Sequence, residues 1–312
     1  MTTQTLAEAK KLINNEIVEG LVEDIIDLNP IFRFLPFKSF AGQAIVVNRE
    51  NVLGDSQKLA VGGTITAKAA DTRTQYTFTP TTLIGDAELN KLVLATSQSD
   101  GVDEMAIAVQ SKAKSIARDF QQGMATDDGT GANMNSLHTL VDATQYTAAS
   151  VGQALSFELL DELLQLVVAK DGAVDFIMMP KRTIRSYRAL VRSLGGVDET
   201  MLVTLGDGTT ARIPMYDGVP IFRNDYLSVA ETANGAALTG GLLTSVYAGC
   251  FDDGSGKIGI AGIYPEGTGA GIMVESIGAK EAKDEDITRV KWYTNFVSFN
   301  RKAIARLTSI NN

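Results

Sequence analysis

From Asp100 to Gln122 the apolar residues Val102, Met105, Ala106, Val109, Ala113, Ile116, Ala117 and Phe120 recur at helical spacing, with Lys112, Lys114, Arg118 and Asp119 largely off that stripe. The pattern predicts one helix roughly 35 Å long, because each residue advances about 1.5 Å. Asp100 is placed to cap its start, Asp103 and Glu104 suit the positive end of its dipole, and Gly123 offers a stop. A second helical pattern covers Leu6 to Ile26 and ends before Pro30. The short segment from Ile31 to Phe37 is aromatic and bounded by prolines, too apolar to remain in water and too brief to form a core.

Alternation replaces helical spacing further on. Gln43 to Glu50 and Arg73 to Thr82 read as strands, and Tyr76 and Phe78 alternate with Thr77 and Thr79. Between them Asn51 to Thr72 is small, polar and glycine-containing, with one alternating piece at Thr64 to Lys68. A long two-stranded ribbon has little to bury on itself and is marginal alone in water, so it is expected to lie on another surface.

Gly85 to Leu94 leads towards the long helix. Beyond Ser150 a helix capped by Ser156 carries Leu159, Leu160, Leu163 and Leu164, and a buried strand runs from Val174 to Met179. A further helix turns Ile184, Tyr187, Leu190 and Val191 inward and Lys181, Arg182, Arg185 and Arg188 outward. Short strands follow at Ala211–Met215, Val219–Phe222, Ser245–Phe251, Lys257–Ile263, Ile272–Ile277 and Ile287–Phe299. Helices in the middle and strands on the return predict an α+β chain whose last strand comes back to the first region.

Composition narrows the function. The 312 residues are 45% hydrophobic, which suits a globular chain, and the net charge of −9 argues against a surface built to read nucleic acid. No apolar run reaches the ~18 residues a membrane helix needs, and the first ten residues lack a signal peptide's pattern, so a product made in the cytosol is expected. The single cysteine, Cys250, sits in an apolar run and reads as packing.

Candidate chemistry is sparse. Asp127-Asp128-Gly129 and Asp252-Asp253-Gly254 offer carboxylates to a hard cation, yet neither continues as a calcium loop with its closing Glu, and acidic turns are expected. Gly267-Thr268-Gly269-Ala270-Gly271 resembles a phosphate loop by letters but opens onto a strand, which predicts a bend. Ser111-Lys112-Ala113-Lys114 matches Ser-x-x-Lys in mid-helix, where the pairing has no catalytic context. His138 is the only histidine and reads as structural. No catalytic, cofactor-binding or metal-binding set assembles, although paired carboxylates leave a soluble α+β enzyme as a remote alternative.

In this order the features resemble a tailed-bacteriophage major capsid protein of the HK97 fold. The resemblance rests on Asn29-Pro30-Ile31-Phe32-Arg33-Phe34-Leu35-Pro36, the hairpin, Leu83 to Leu89 leading into the long helix, and Asp127-Asp128-Gly129-Thr130-Gly131 just after it. It rests also on Phe176-Ile177-Met178-Met179-Pro180 before a helix and on Asp217 to Asp225.

The resemblance implies an HK97-like architecture: an N-terminal arm (1–40), an extended β-hairpin loop (41–82), a peripheral domain (83–141) with its spine helix (100–122), an apical domain (142–262), and return strands (263–312) completing the peripheral domain. It implies a structural, non-enzymatic subunit that assembles as pentamers and hexamers into an icosahedral shell around double-stranded DNA. The shell would form in the host cytoplasm and end in the virion. Implied partners are further copies of the chain, a separate scaffold protein, a portal and, in some members, a decoration protein. Expected contacts between subunits are Phe32, Phe34, Phe37, Lys58, Lys68, Tyr76 and Phe78. Lys58 and Lys68 fall where one branch of the family has a lysine linked covalently to a neighbour's asparagine. An encapsulin-type nanocompartment, with protein cargo in place of DNA, is the alternative on the same fold.

Overall fold

A computed structural model describes residues 30–99, 103–197, 199–204 and 210–311. The helical pattern at Leu6–Ile26 lies outside them. The described chain begins with a helical turn, α1 (Ile31–Phe34), and a short strand, β1 (Phe37–Phe40). A two-stranded ribbon follows, β2 (Ile45–Val52) and β3 (Thr72–Phe78), then β4 (Thr81–Asn90), α2 (Lys91–Ser99) and the long α3 (Glu104–Thr126). The middle contains α4 (Leu137–Leu140), β5 (Tyr146–Gln153), α5 (Phe157–Leu166), β6 (Phe176–Met179) and α6 (Lys181–Ser193). The rest is strand: β7 (Thr200–Thr204), β8 (Thr210–Tyr216), β9 (Val219–Arg223), β10 (Thr244–Gly249), β11 (Ile260–Pro265), β12 (Met273–Ala279), β13 (Glu285–Ser298) and β14 (Ile304–Ile310). The fold class is α+β as expected.

The first sheet is organised by β13. Its early residues pair with β4 on one side and β12 on the other, and Ser298 to Asn295 then pair with β11, which carries β1 in parallel. The reason lies in its alternation: Val290, Trp292, Thr294 and Phe296 turn inward, while Arg289 and Lys291 keep to the wetter side. Arg289 grips Asp86, its partner in register on β4, through two bonds of 2.8 Å. The second sheet runs β5-β14-β10-β6-β9-β8-β7. One of its faces, with Phe176, Met178 and Tyr247, shares a core with α3 and the first sheet. The other, with Ile177, Val246 and Leu307, is covered by Leu160 and Leu163 of α5 and Ile184 and Tyr187 of α6.

The long helix is shifted relative to its expected span. Asp103 caps it by accepting from the Ala106 amide at 3.1 Å, and Asp100, the expected cap, lies outside the described residues. It also passes through Gly123, because Met124 and Ala125 are still core residues and the turn after Gly123 buries them. A side chain at Gly123 would crowd the Asp127 carboxylate, which bonds the Met134 amide at 2.9 Å.

Two further differences concern strands. The stretch from Gly85 becomes strand up to Asn90 before any helix starts, since β13 offers a full edge to pair with. Ile287–Phe299, expected as the last strand, does pair with β4 in the first region. One more strand follows it: β14 enters the second sheet between β5 and β10, so residues 263–312 divide between the two sheets.

Candidate assembly surfaces

The ribbon is built at its base like a core element and at its tip like nothing of the kind. Ile45 pairs with Phe78 and Val47 with Tyr76, and Ile45, Val47 and Phe78 pack on the main core. Arg49 fastens this base: its guanidinium donates to the carbonyls of Ser298 and, at 3.2 Å, Phe299, and lies 4.3 Å from the Tyr76 ring centre. Beyond Val52 pairing stops. From Val52 to Arg73 every residue but Ala67 is exposed, Leu53 at 73% and Ile65 at 61%.

The tip is nevertheless shaped. The Gln57 amide oxygen accepts from the backbone of Thr66 (2.8 Å) and Ala67 (2.7 Å), and its nitrogen donates to the Thr64 carbonyl at 3.0 Å. Those bonds occupy the piece expected to alternate as a strand, and it forms none. The apolar side chains of Leu53, Leu59, Val61 and Ile65 are thus held outward on a projecting loop with no core beneath them.

The expected contact residues separate into three groups. Lys58 and Lys68 are exposed on the ribbon loop, and Tyr76 is 37% exposed beneath Arg49. Phe78, Phe37 and Phe34 are drawn into their own chain instead. Phe78 is in the main core, the Phe37 ring sits 5.7 Å from Trp292 and 6.2 Å from Phe120, and Phe34 sits 5.3 Å from Phe222. The Phe32 side chain lies outside what the structure describes.

The candidate chemical motifs are occupied by local structure. Asp128 accepts from the Thr130 amide and hydroxyl and from Asn133, and these bonds hold its carboxyl down to about 2. Asp252 gathers the amides of Gly254 and Gly256 at 3.0 Å each, and Asp253 takes that of Ser255 at 2.9 Å. Among the described residues no three metal-ligating side chains converge. The Gly267–Gly271 stretch is the bend between β11 and β12, and the Trp292 indole donates to its Ala270 carbonyl at 3.1 Å. Ser111 and Lys114 lie on the exposed side of α3 in mid-helix. Cys250 is buried, and desolvation pushes its thiol up to about 11.

His138 belongs to a buried polar cluster. Arg306 donates to its Nδ1 at 2.6 Å, to Ser245 Oγ at 3.0 Å and to Glu231 Oε2 at 3.1 Å. Since a guanidinium can only donate, the imidazole is neutral with its proton on Nε2.

A second surface was not anticipated as a site. A cleft of about 850 Å³ opens beside α6, whose Lys181, Arg182, Arg185, Arg188 and Arg192 all line it. Arg212 of β8 and Arg223 of β9 add to the basic wall, and among the described residues that line it Asp225 is the one carboxylate. The floor is apolar, with Ile213, Ile221 and Phe222, and Pro30 stands at its edge. The outward cations of α6 were visible in its sequence. Arg212 and Arg223 are brought to them by strands far along the chain, which no local pattern reveals.

No protein-family model matches the chain, and no curated protein sequence does. Solved structures do match it along its whole length. The SrpI encapsulin of Synechococcus elongatus PCC 7942 aligns with a TM-score of 0.71 at 16% identity, covering 100% of this chain and 97% of that one. The capsid of cyanophage A-1(L) aligns with 0.71 at 12% identity, covering 99% and 100%. The capsid of a native GTA particle aligns with 0.69 at 11% identity, covering 99% of each. Paired with the ribbon, the long helix and the two sheets described above, these alignments identify the chain's architecture as the HK97-like fold shared by phage capsid and encapsulin shell subunits.

Proposed function

We propose that the chain is the major structural subunit of a tailed-phage capsid, assembling as pentamers and hexamers into an icosahedral shell around double-stranded DNA. One observation carries this reading: a ribbon anchored at its base by Arg49 ends in a shaped, fully exposed loop bearing Leu53, Leu59, Val61 and Ile65. An isolated subunit gains nothing from such an element, whereas a neighbouring copy beneath it would bury about 1.5–3 kcal/mol of apolar side chain per residue. Repetition by symmetry turns such modest contacts into a closed wall.

In this reading residues 1–40 form an arm, 41–82 the extended loop, 83–141 with the return strands from 263 a peripheral domain, and 142–262 an apical domain, whose sheet β14 (Ile304–Ile310) enters. Lys58, Lys68 and Tyr76 are exposed on the extended loop and stand as contacts to the next subunit, together with the apolar tip. The net charge of −9 suits a wall along which DNA slides without sticking. The subunit has no catalytic role: the carboxylates of its acidic turns are engaged by their own loops. A separate scaffold protein and a portal are the further partners this reading calls for.

The encapsulin reading keeps the same subunit contacts and changes the contents, and the equal alignment to the SrpI encapsulin is what favours it. Electron microscopy of the expressed protein, with and without scaffold, tests the shell. Closed particles are expected, and a protein that remains monomeric under both conditions overturns the proposal. Nucleic acid inside purified native particles supports the phage reading, and a protein cargo supports the compartment.

A further inference from the structure

We infer that the basic cleft beside α6 receives the acidic corner around Val197 and Glu199 of a second copy of the chain, so that subunits join head to tail. The contact presupposes the shell subunit proposed above and gives the rule by which one copy meets the next. Two surfaces of opposite sign share the same helix and strand. On one flank Lys181, Arg185 and Arg192 of α6 and Arg212 of β8 stand exposed around the cleft. Arg182, Arg188 and Arg223 have interactions of their own, and the contact does not depend on them. On the other flank a hollow of about 480 Å³ is walled by Asp161 of α5, by Glu199 and by Asp217 in the turn after β8. Among the described residues that line it none is basic.

Shape agrees with charge. Val197 lines the hollow and is 90% exposed, an apolar knob with the Glu199 carboxylate two residues away. The cleft offers such a knob an apolar floor of Ile213, Ile221 and Phe222 beneath its cations. A phosphate backbone would meet the cations and leave both that floor and Val197 in water. Opposite signs on the two surfaces favour this docking and penalise cleft against cleft.

The direction of the contact follows from α6. Lys181, Arg185 and Arg192 at the cleft and Tyr187 and Val191 at the hollow lie about a third of a turn apart around the helix. One partner does not cover two faces that diverge so far, so each copy meets two neighbours instead of one two-fold mate. Heterologous contacts of this kind close into rings.

The test uses the full-length protein under conditions in which the wild type forms particles. Arg185→Glu/Arg192→Glu makes both flanks acidic, and Asp161→Lys/Glu199→Lys makes both basic. Each variant alone is expected to lower particle yield in electron micrographs at least about tenfold, since like charges then face each other. Mixed in equal amounts, the two should assemble again by alternating around each ring, which also shows that both are folded. Alternation closes a ring of six but not of five, so hexameric sheets or tubes are expected without closed shells. Either variant alone forming wild-type shells overturns the inference and leaves the shell reading standing. So does a mixture as inert as its components when each variant melts like the wild type. A wild type that never assembles overturns both. Labelled duplex DNA that binds wild-type subunits and is lost with Arg185→Glu/Arg192→Glu also overturns the inference, because the cleft would then hold nucleic acid. Val197→Cys/Val229→Cys, treated with a bifunctional thiol crosslinker, should give a ladder reaching pentamers and hexamers on a denaturing gel, because Val229 lines the cleft. A ladder that stops at the dimer overturns the head-to-tail arrangement.

Discussion

Arg306 donates to Nδ1 of His138 across 2.6 Å, setting the chain's single imidazole against a permanent cation. Burial first, and the guanidinium's charge second, hold His138 below its ordinary 6.5. The unfolded chain therefore takes up this proton more readily than the native one, and stability from this group is lost as pH falls below 6.5. Glu231 works in the opposite sense: burial raises its carboxyl against the pull of Ser245 and Arg306, so its contribution fades as pH rises above 4.5. The histidine's part is isolated by comparing melting temperatures of the wild type and His138→Gln. The two curves should diverge below pH 6.5, with the wild type losing more, and parallel curves would refute the assignment.

The ion pair itself is a matter of completeness more than of strength. Arg306 and Glu231 have side chains only 5% and 2% exposed. Removing one partner leaves the other charged and without solvent, so Glu231→Ala should cost about 3–5 kcal/mol in urea unfolding. Replacing both with methionine should cost far less than the sum of the single substitutions.

Phe37 explains a glycine. It is paired in register with Gly262 on β11, and a Cβ at Gly262 would overlap the Phe37 ring, which Phe120 and Trp292 hold in place. Gly262→Ala is expected to destabilise by about 1–3 kcal/mol through overpacking. In the Phe37→Ala background the same substitution should be nearly neutral, a coupling that a double-mutant cycle by denaturant melting would measure.

The ribbon tip separates folding from assembly. Leu53 and Ile65 are largely exposed, so Leu53→Asp and Ile65→Asp should change subunit stability by no more than about 0.5 kcal/mol. The same substitutions should abolish particles in electron micrographs. Normal particle yield from the double variant would remove the tip from the contact surface.

Periodicity made α3 legible because one stripe faces the core and the other faces water; its start is capped locally by Asp103, while the burial of Met124 and Ala125, a tertiary matter, carries it past Gly123. β14 escaped for the converse reason. Ile304 to Ile310 is buried along its entire length, so inward and outward positions carry no contrast, and Arg306 at its centre suggests a surface that is not there. The aromatic residues of the arm were read correctly as needing cover, but sequence could not say whose: Phe37 finds Trp292, which lies 255 positions further along the chain. The ribbon was legible through its thinness, and the shape of its loop was not, because that depends on the single amide of Gln57.

The Arg49 grip has a mechanical corollary. The carbonyls it holds, at Ser298 and Phe299, mark the point where the chain leaves the first sheet, shortly before Ile304 enters the second. Leverage applied at the far end of the ribbon therefore arrives at a joint common to both layers, carried there by Arg49 together with Ile45, Val47 and Phe78 packed on the core.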